Sequence, residues 1–214
     1  ENTAKKEKDI EKISVVGTQI KGGKIAEALA VSIVSAEDIE ALGIDSGDEL
    51  MAMLPENGQN FLSEAETFSG GVNSARGDIG AFNLRNLGTG NTLVLLNGRR
   101  LVNAASYQTE EVGGSFVPVN SVNSNVLPVV GLDQVQILRD GASAIYGADA
   151  VGGVINNVLK TDFEGLTVSA RQFEYDNFDS GSTRFTLEAG KDFNDGRTNV
   201  SVFFNYFDRD RINA

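Results

Sequence analysis

The C-terminal part of the chain alternates apolar and polar residues with a period of two, the spacing of a half-buried β-strand. In LTVSARQF, Leu166, Val168 and Ala170 fall on one face and their polar neighbours on the other. TRFTLEAG and TNVSVFFNYFD repeat this pattern, and the turn-rich links DNFDSGS and NDG separate the three stretches. The pattern predicts a meander of antiparallel hairpins with one apolar and one polar face.

This meander has two interpretations. One is the edge of a soluble sandwich, in which the apolar face covers a core. The other is the beginning of a membrane β-barrel, whose strands show the same alternation and carry aromatic residues near their ends.

The pattern before residue 164 is different, because strands alternate with short helical segments. AVSIVSAEDIEALG predicts a strand and then a helix that Ser35 and Asp38 cap reciprocally and that ends at Gly43. SGDELMAMLP predicts a second helix, which Pro55 stops. Further strands are predicted at 92–96, which an Asn-Gly turn follows, at 132–138, and over GGVINNVLK, with a helical turn at GASAIYG. The stretch 103–130 is interpreted as a loop in which VNSVNSNVLP favours a short helix that ends at Pro128.

Composition and charge remove several classes of function. The 214 residues include 18 Lys and Arg against 30 Asp and Glu, and a net charge of −12 opposes binding to nucleic acid. The chain has no Cys and no His, so Ser-His-Asp and Cys-His mechanisms are impossible within it. We find no EF-hand spacing for a carboxylate cation site. We therefore expect no enzymatic activity, no cofactor and no metal.

The glycine-rich stretch RDGASAIYGADAVGGVINN raises the question of phosphate binding. A P-loop requires a lysine after its last glycine, and this stretch has none. A dinucleotide fingerprint requires G-x-G-x-x-G between a strand and a helix, whereas the chain has a lone GTG before a strand. The glycines are therefore interpreted as structural, since they allow tight turns and close packing.

The same stretch resembles the signature of the plug domain of TonB-dependent outer-membrane receptors, and three segments match in the family's order. AVSIVSAEDIEALGIDSGDELMAMLP is similar to the opening strand, helix and LLxxLP helix. NLRNLGTGNTLVLLNGRRL is similar to LRG followed by TLVLxNGRR. GLDQVQILRDGASAIYGADAVGGVINNVLK is similar to IERVEVLRDGASAIYGxxAxGGVINI. Asn86 replaces the glycine of LRG, and LPENGQN lacks the usual PGV, which leaves the local loop geometry open.

The resemblance implies an α+β plug domain with a small mixed four-stranded sheet and short helices, followed by antiparallel β-hairpins of an incomplete transmembrane β-barrel. We expect a mobile N-terminal segment at 1–20, the plug domain at 21–163 and the first barrel strands at 164–214. A barrel of about 22 strands needs roughly 220 residues in its strands alone, so we expect the chain to be a fragment. The alternative is a self-contained secreted binding module without transport.

The function implied by the resemblance is active transport across the outer membrane of a Gram-negative bacterium. In this family the plug occludes a 22-stranded barrel that contacts outer-membrane lipid. The plug helps to bind an extracellular substrate, and TonB, with its energising complex in the inner membrane, rearranges it from the periplasmic side, where the N-terminus lies. Siderophore, cobalamin, oligosaccharide and peptide are all open as substrates.

Three sets of candidate residues come with the resemblance. EKISVVG looks like the TonB box, which adds a strand to the partner's sheet, although it is also compatible with an edge strand of the plug; its residues are Lys12, Ile13, Ser14, Val15, Val16 and Gly17. Arg85 and Arg139 match two plug arginines that pair with barrel glutamates, although both are also compatible with solvated charges at strand ends. Without those partners we expect the isolated chain to be less stable or oligomeric; the alternative is that the arginines pair with local acids such as Asp140 or Asp149. The candidates for substrate contact at the apex are Arg76, Asp78, Phe82, Tyr107, Gln108 and Phe116.

Overall fold

The fold comprises a five-stranded sheet, a two-stranded hairpin and a three-stranded sheet. The computed structural model describes residues 31–44, 46–58, 80–105, 108–174, 181–194 and 197–210. In chain order the strands are β1 (Val31–Ser35), β2 (Thr92–Leu96), β3 (Arg99–Arg100), β4 (Gln108–Val112), β5 (Ser115–Val119), β6 (Leu132–Leu138), β7 (Gly153–Leu159), β8 (Gly165–Glu174), β9 (Gly181–Phe193) and β10 (Thr198–Arg209). The α-helices are α1 (Ala36–Ala41), α2 (Gly47–Met53) and α3 (Ala142–Tyr146), and 3-10 turns lie at Thr89–Asn91, Ser124–Val126, Val129–Gly131 and Ala148–Ala150.

The five-stranded sheet has the order β1-β6-β7-β2-β3. β2 and β7 run parallel, and the other neighbours run antiparallel, so the sheet is mixed as predicted. Four of its strands were predicted; β3 contributes two residues that return along β2 through a turn in which Asn97 and Gly98 both have positive φ. Such a two-residue turn matches the twist of the strands it joins.

Local sequence signals fix the helix ends. Ser35 Oγ accepts from the Asp38 N–H, and the Asp38 carboxylate accepts from the Ser35 N–H, which confirms the capping box of α1. The Ser35 hydroxyl also donates to the Asp38 carboxylate at 2.6 Å, and this hydrogen bond, together with the one from the Ser35 N–H, lowers the pKa of Asp38 below its usual value. Gly43 follows the helix with φ of 67°, a conformation that favours glycine. No helix among the described residues is long and apolar enough to cross a membrane.

The core lies on both faces of the five-stranded sheet. One cluster, with Leu50, Val135 and Ile155, packs beneath α1 and α2. The second cluster contains Leu95 and Val154 and is covered by α3. β2 is buried on both faces along most of its length, so its sequence TLVLL reads as a nearly continuous apolar run. The buried parts of β6 and β7 also contain amides that pair across the strands, since Asn156 Nδ2 donates to Gln136 Oε1 at 3.0 Å.

The β4–β5 hairpin corrects the interpretation of 103–130 as a loop without strands. Gly113 and Gly114 form its turn and have φ of 61° and 80°. The periodicity is obscured because Glu110 is an inward-facing residue of β4, where an apolar side chain is usual. Its carboxylate accepts from the N–H of Thr89 at 3.1 Å and from the Thr89 hydroxyl at 3.2 Å. The possible helix before Pro128 is a single 3-10 turn.

The three-stranded sheet has the order β10-β9-β8 and is antiparallel throughout. Its strands have 10, 13 and 12 residues, and they contain the three alternating stretches of the sequence. The predicted meander is therefore confirmed. A five-residue link, 160–164, connects the end of β7 to the start of β8.

Candidate functional site

The three-stranded sheet is turned so that its apolar face is open, whereas the polar face is covered along its middle strand, β9. Arg184 and Glu188 on β9 are 4% and 9% exposed. On the opposite face Leu166 is 70% exposed. The other large apolar residues exposed on this face are Val168, Phe185, Phe193, Val200, Val202, Phe204 and Tyr206. This arrangement reverses that of a soluble sandwich and is the one expected of strands whose apolar face meets lipid.

The polar face packs against the link that follows β7 through a cluster that we call the joint, made of Lys160, Phe163, Glu188, Gly190 and Phe203. Lys160 Nζ donates to both carboxylate oxygens of Glu188, at 3.0 and 3.1 Å. The rings of Phe163 and Phe203 lie 6.2 Å apart. A Cβ added at Gly190 would lie 2.0 Å from the carbonyl oxygen of Phe163, so only glycine allows the link to pass this close.

A cavity of about 330 Å³ lies beside the joint, between α1 and the polar face of the three-stranded sheet. Arg171 on β8 and Arg184 on β9 stand directly opposite each other in the register and both line it. Arg184 Nε donates to Asn205 Oδ1 at 2.9 Å, and its guanidinium lies 5.8 Å from the centre of the Phe207 ring. Glu40 lines the cavity from α1, so a basic wall faces an acidic helix.

Arg85 is held entirely within the five-stranded domain. Its Nη1 pairs with Asp140 at 3.0 Å, its Nε donates to the carbonyl of Gly152, and its Nη2 donates to the carbonyl of Val151. Asp140 is one of the two acids that the sequence analysis named as local partners for the arginines. Arg85 and Asn86 both have φ of 57°, in the left-handed region. Glycine adopts this conformation without strain and asparagine tolerates it better than most residues, so Asn86 can stand where the LRG element has glycine.

Arg139 has a weaker partner. Its Nη1 lies 3.5 Å from Glu56 Oε1, an oxygen that also accepts from the Ser32 hydroxyl at 2.9 Å. Arg139 Nε is buried and has no hydrogen-bond acceptor among the described residues. The sequence did not single out Glu56, because its proximity depends on how the segment after α2 passes β1.

Asp149, the other acid expected to pair with these arginines, instead binds Arg100, whose Nη2 donates to the Tyr146 carbonyl. The hydrogen bond from Arg100 lowers the pKa of Asp149 below its usual value. Arg100 belongs to the NGRR segment of the sequence, so its position was visible there, but its partner was not.

The predicted substrate residues do not form one cluster. Phe82 is 1% exposed and belongs to the core, so its predicted role as a substrate contact is wrong in this arrangement. Phe116 is exposed on β5, and Gln108 begins β4. Arg76, Asp78 and Tyr107 lie outside the described residues, as does the TonB-box-like segment from Lys12 to Gly17.

A cleft that the sequence did not indicate lies between the β4–β5 hairpin and the segment before β2. Its volume is about 510 Å³, and Asn86, Gly88 and Glu111 are among the residues that line it. A cleft of this size at a hairpin tip is large enough for a small-molecule ligand. Gly88 has φ of 100°, a conformation that favours glycine, so the backbone that lines this side of the cleft depends on glycine at position 88.

The domain built on the five-stranded sheet therefore packs against the polar side of a sheet whose apolar side is open. The family model described as TonB-dependent Receptor Plug Domain matches residues 24–154. The chain belongs to this family, and the resemblance inferred from its motifs is confirmed.

Similar curated proteins are much longer receptors. The Probable TonB-dependent siderophore receptor PirA of Acinetobacter baumannii is 28% identical over 139 residues, which cover 64% of this chain and 17% of that protein. The Vitamin B12 transporter BtuB of Vibrio cholerae is 29% identical over 150 residues, covering 69% of this chain and 21% of that protein. The chain spans about a fifth of the length of these relatives.

Solved structures share the fold. A mutant of the ferric enterobactin receptor PfeA from Pseudomonas aeruginosa, in complex with enterobactin, matches with a TM-score of 0.61 and 20% identity, over 86% of this chain and 25% of that one. The siderophore receptor PirA from Acinetobacter baumannii matches with a TM-score of 0.61 and 21% identity, over 86% and 25% of the two chains. The α+β plug domain followed by part of a barrel is therefore confirmed as the fold class.

Proposed function

We propose that this chain forms the plug and the first barrel strands of an outer-membrane receptor that imports its substrate with energy delivered through TonB. The observation that carries this proposal is the reversed three-stranded sheet, which presents apolar residues outward and holds charged residues against the plug. Strands at the edges of such a sheet require partners in lipid, so the proposal includes further strands, about 22 in all, that close the barrel. Lipid of the outer membrane would then contact the apolar face.

We assign the roles in this receptor to three consecutive segments of the chain. Residues 1–20 serve as the N-terminal segment that TonB engages in the periplasm, 21–163 as the plug, and 164–214 as barrel wall. No covalent chemistry is required, since the plug only has to bind, move and return. The family is one of transport receptors, which supports a non-enzymatic role.

Substrate would be bound from outside by the plug together with barrel loops. The names of the relatives include receptors for siderophores and vitamin B12, and these two classes lead the candidates, ahead of oligosaccharide and peptide. On the plug, the cleft beside the β4–β5 hairpin and the exposed ring of Phe116 provide the contact surface. Arg76, Asp78, Tyr107 and Gln108 remain candidates from the sequence.

Anchoring of the plug by arginines is proposed for Arg139 more than for Arg85. All three donor nitrogens of Arg85 that face the domain already have acceptors. Arg139 has a buried Nε without an acceptor and a long contact with Glu56, which leaves it able to take a carboxylate of the barrel wall. A structure of the complete receptor in which no barrel carboxylate lies within about 4 Å of Arg139 would contradict this assignment.

The proposal is tested at the TonB-box-like segment. Proline removes a main-chain donor and fixes φ, so Val15→Pro should prevent the addition of this strand to the sheet of TonB. We expect binding of the purified periplasmic domain of TonB, measured by calorimetry, to be lost, while thermal unfolding of the plug is unchanged.

The matched control is Lys5→Pro, which places the same residue in the charged run before the segment and should leave TonB binding intact. In the complete receptor, Val15→Pro should abolish energy-dependent uptake and spare substrate binding at the cell surface. Normal uptake by this variant would contradict the proposed function.

A further inference from the structure

A further cavity lies beside the outer edge of β2 and shares no lining residue with the cavity beside the joint or with the cleft at the β4–β5 hairpin. Its volume is about 330 Å³, at the lower end of the range of about 300–1,000 Å³ for ligand pockets. β2 pairs along its whole length with β7 on one side, but β3 pairs only with Leu95 and Leu96 on the other. Among the described strands none pairs with Thr92 and Leu93 on that side, and the cavity occupies this space.

Ser121 lines this cavity and has a hydroxyl without a partner. The residue is 6% exposed, and its Oγ makes no hydrogen bond with any described residue. Its carbonyl is already used, because the N–H of Ala104 donates to it at 2.8 Å. A buried hydroxyl that stays unpaired costs about 1–3 kcal/mol, so a molecule within the cavity is expected to satisfy it.

The charges around the cavity are balanced. Arg100 and Asp149 both line it and pair with each other, with their side chains about half exposed. The remaining polar side chains are uncharged: the amides of Asn103 and Asn120 at the exposed rim, and the hydroxyls of Ser121, Thr89 and Thr92. The two threonine hydroxyls already have partners, because that of Thr89 donates to the Glu110 carboxylate and that of Thr92 accepts from the Leu84 N–H. Without an unbalanced charge, the site has no preference for an ion over a neutral molecule.

The distribution of these groups indicates the class of the ligand. Amides and hydroxyls both donate and accept, so they match molecules whose own hydroxyls do the same. Leu93, Val94 and Val122 give the cavity apolar walls, which suit the C–H faces of a sugar ring. The space exceeds what one or two bridging waters require, since a water takes about 30 Å³.

We propose that this cavity binds one neutral polyhydroxylated unit, such as a single sugar ring, with the Ser121 hydroxyl as its inner hydrogen-bond partner. A role of this site in import rests on the transport function proposed above, whereas the binding of a sugar ring to the cavity does not. It therefore has a test that is independent of TonB and of uptake.

The test uses the full 214-residue chain in an oxyethylene detergent, because detergents with sugar head groups would compete for the site. D-glucose is the probe, and saturation-transfer NMR with an equilibrium titration measures its binding. We expect a dissociation constant of about millimolar order. Inorganic phosphate at the same concentration is the charged comparator, and we expect it not to displace glucose.

Ser121→Ala separates a binding role from a structural one. Loss of one neutral hydrogen bond should weaken glucose binding about three- to tenfold. The thermal midpoint without glucose should stay the same or rise, because an unpaired buried hydroxyl has been removed. Ser115→Ala, at an exposed serine of β5, is the matched control and should change neither quantity. Asn120→Ala, at the exposed rim, provides a second variant that does not disturb buried packing.

Three results would overturn the inference. They are no glucose binding to the folded wild-type chain, binding that neither Ser121→Ala nor Asn120→Ala weakens, and displacement of glucose by phosphate. Glucose binding that depends on Ser121 would stand even if Val15→Pro showed that the transport proposal is wrong. Failure of glucose binding, conversely, would leave the transport proposal untouched.

Discussion

The two larger sheets of this protein use strands of similar composition in opposite ways. In the five-stranded sheet Val135, Ile137 and Ile155 are fully buried. In the three-stranded sheet Val168, Val202 and Phe204 are each at least half exposed, and the buried positions belong to Arg184, Thr186 and Glu188. Alternation therefore establishes that a segment is a strand and which residues share a face, but the surroundings decide which face is covered.

The covered polar face is stable because its charges have partners. Glu188 faces Lys160, and Arg184 faces Asn205 and the Phe207 ring. A buried charge without such contacts would cost several kcal/mol. The five-stranded sheet has no comparable requirement, since most of its buried side chains are apolar.

The contrast between the buried apolar residues of one sheet and the exposed apolar residues of the other is tested most directly by making the same substitution in both sheets. Val135→Lys places an ammonium in a fully buried position, so we expect a loss of more than about 4 kcal/mol and unfolding of the plug domain. Val202→Lys affects an exposed position and should change the unfolding free energy by less than about 0.5 kcal/mol in detergent. Chemical denaturation followed by circular dichroism measures both values.

Val202→Lys should nevertheless be costly in lipid. A lysine on the outer face near the bilayer midplane costs about 2–4 kcal/mol, which reassociation of the complete receptor with liposomes would detect. If Val202→Lys instead unfolds the chain in detergent as Val135→Lys does, the open face is covered by protein and the comparison is wrong.

A second experiment ties the two sheets together covalently. A Cβ added at Gly131, just before β6, would lie 3.5 Å from the Cβ of Phe203 on β10, at the short end of disulfide geometry. The chain has no cysteine, so Gly131→Cys with Phe203→Cys creates a single possible disulfide. We expect it to form on oxidation and to stabilise the chain by about 3–4 kcal/mol relative to its reduced form.

Thermal unfolding of the oxidised and reduced forms, together with mass spectrometry, measures this effect. The control is Gly131→Cys with Phe204→Cys, because Phe204 lies on the outer face and points away from the plug. Equal disulfide formation in the two variants would contradict the described contact between the sheets.

The smallest expected effect concerns the charges at the joint. Lys160 and Glu188 have side chains 26% and 11% exposed, so their pairing lies between a buried and a surface ion pair. Glu188→Gln should destabilise the chain by about 1–3 kcal/mol, and Lys160→Met with Glu188→Gln should recover part of that loss. Lys191→Gln, at an exposed position of the same strand, is the control and should cost less than about 0.5 kcal/mol. Additive losses in the double variant would mean that the two charges do not interact.

Much of the fold was predictable because its signals are local. The capping box of Ser35 and Asp38, the bounds of β2 and β6, and the alternation of β8 to β10 are all written in consecutive residues. The β4–β5 hairpin was missed because Glu110 is buried by a partner 21 residues away, Thr89. A periodicity rule treats an acidic residue as outward-facing, and only tertiary contacts reverse that assignment.

The sequence motifs of the candidate site were predictable, but most of the ion pairs that its arginines and acids form were not. Arg85 found Asp140 as expected, whereas Arg139 found Glu56 and Asp149 found Arg100. Each of these pairs joins segments far apart in the sequence, so spacing alone carries no information about them. The role of Phe82 was mistaken for the same reason, since a loop aromatic and a core aromatic look alike until the loop is folded.

The five-residue link between β7 and β8 sets a limit on how the plug can move. A fully extended chain spans at most about 3.6 Å per residue, so the end of β7 stays within roughly 20 Å of the start of β8 while the link is intact. In the receptor that we propose, a plug tethered at residue 160 could not leave the barrel as a detached body. Displacement of the plug would therefore have to occur away from this tether, and the tether would keep the domain near its original position.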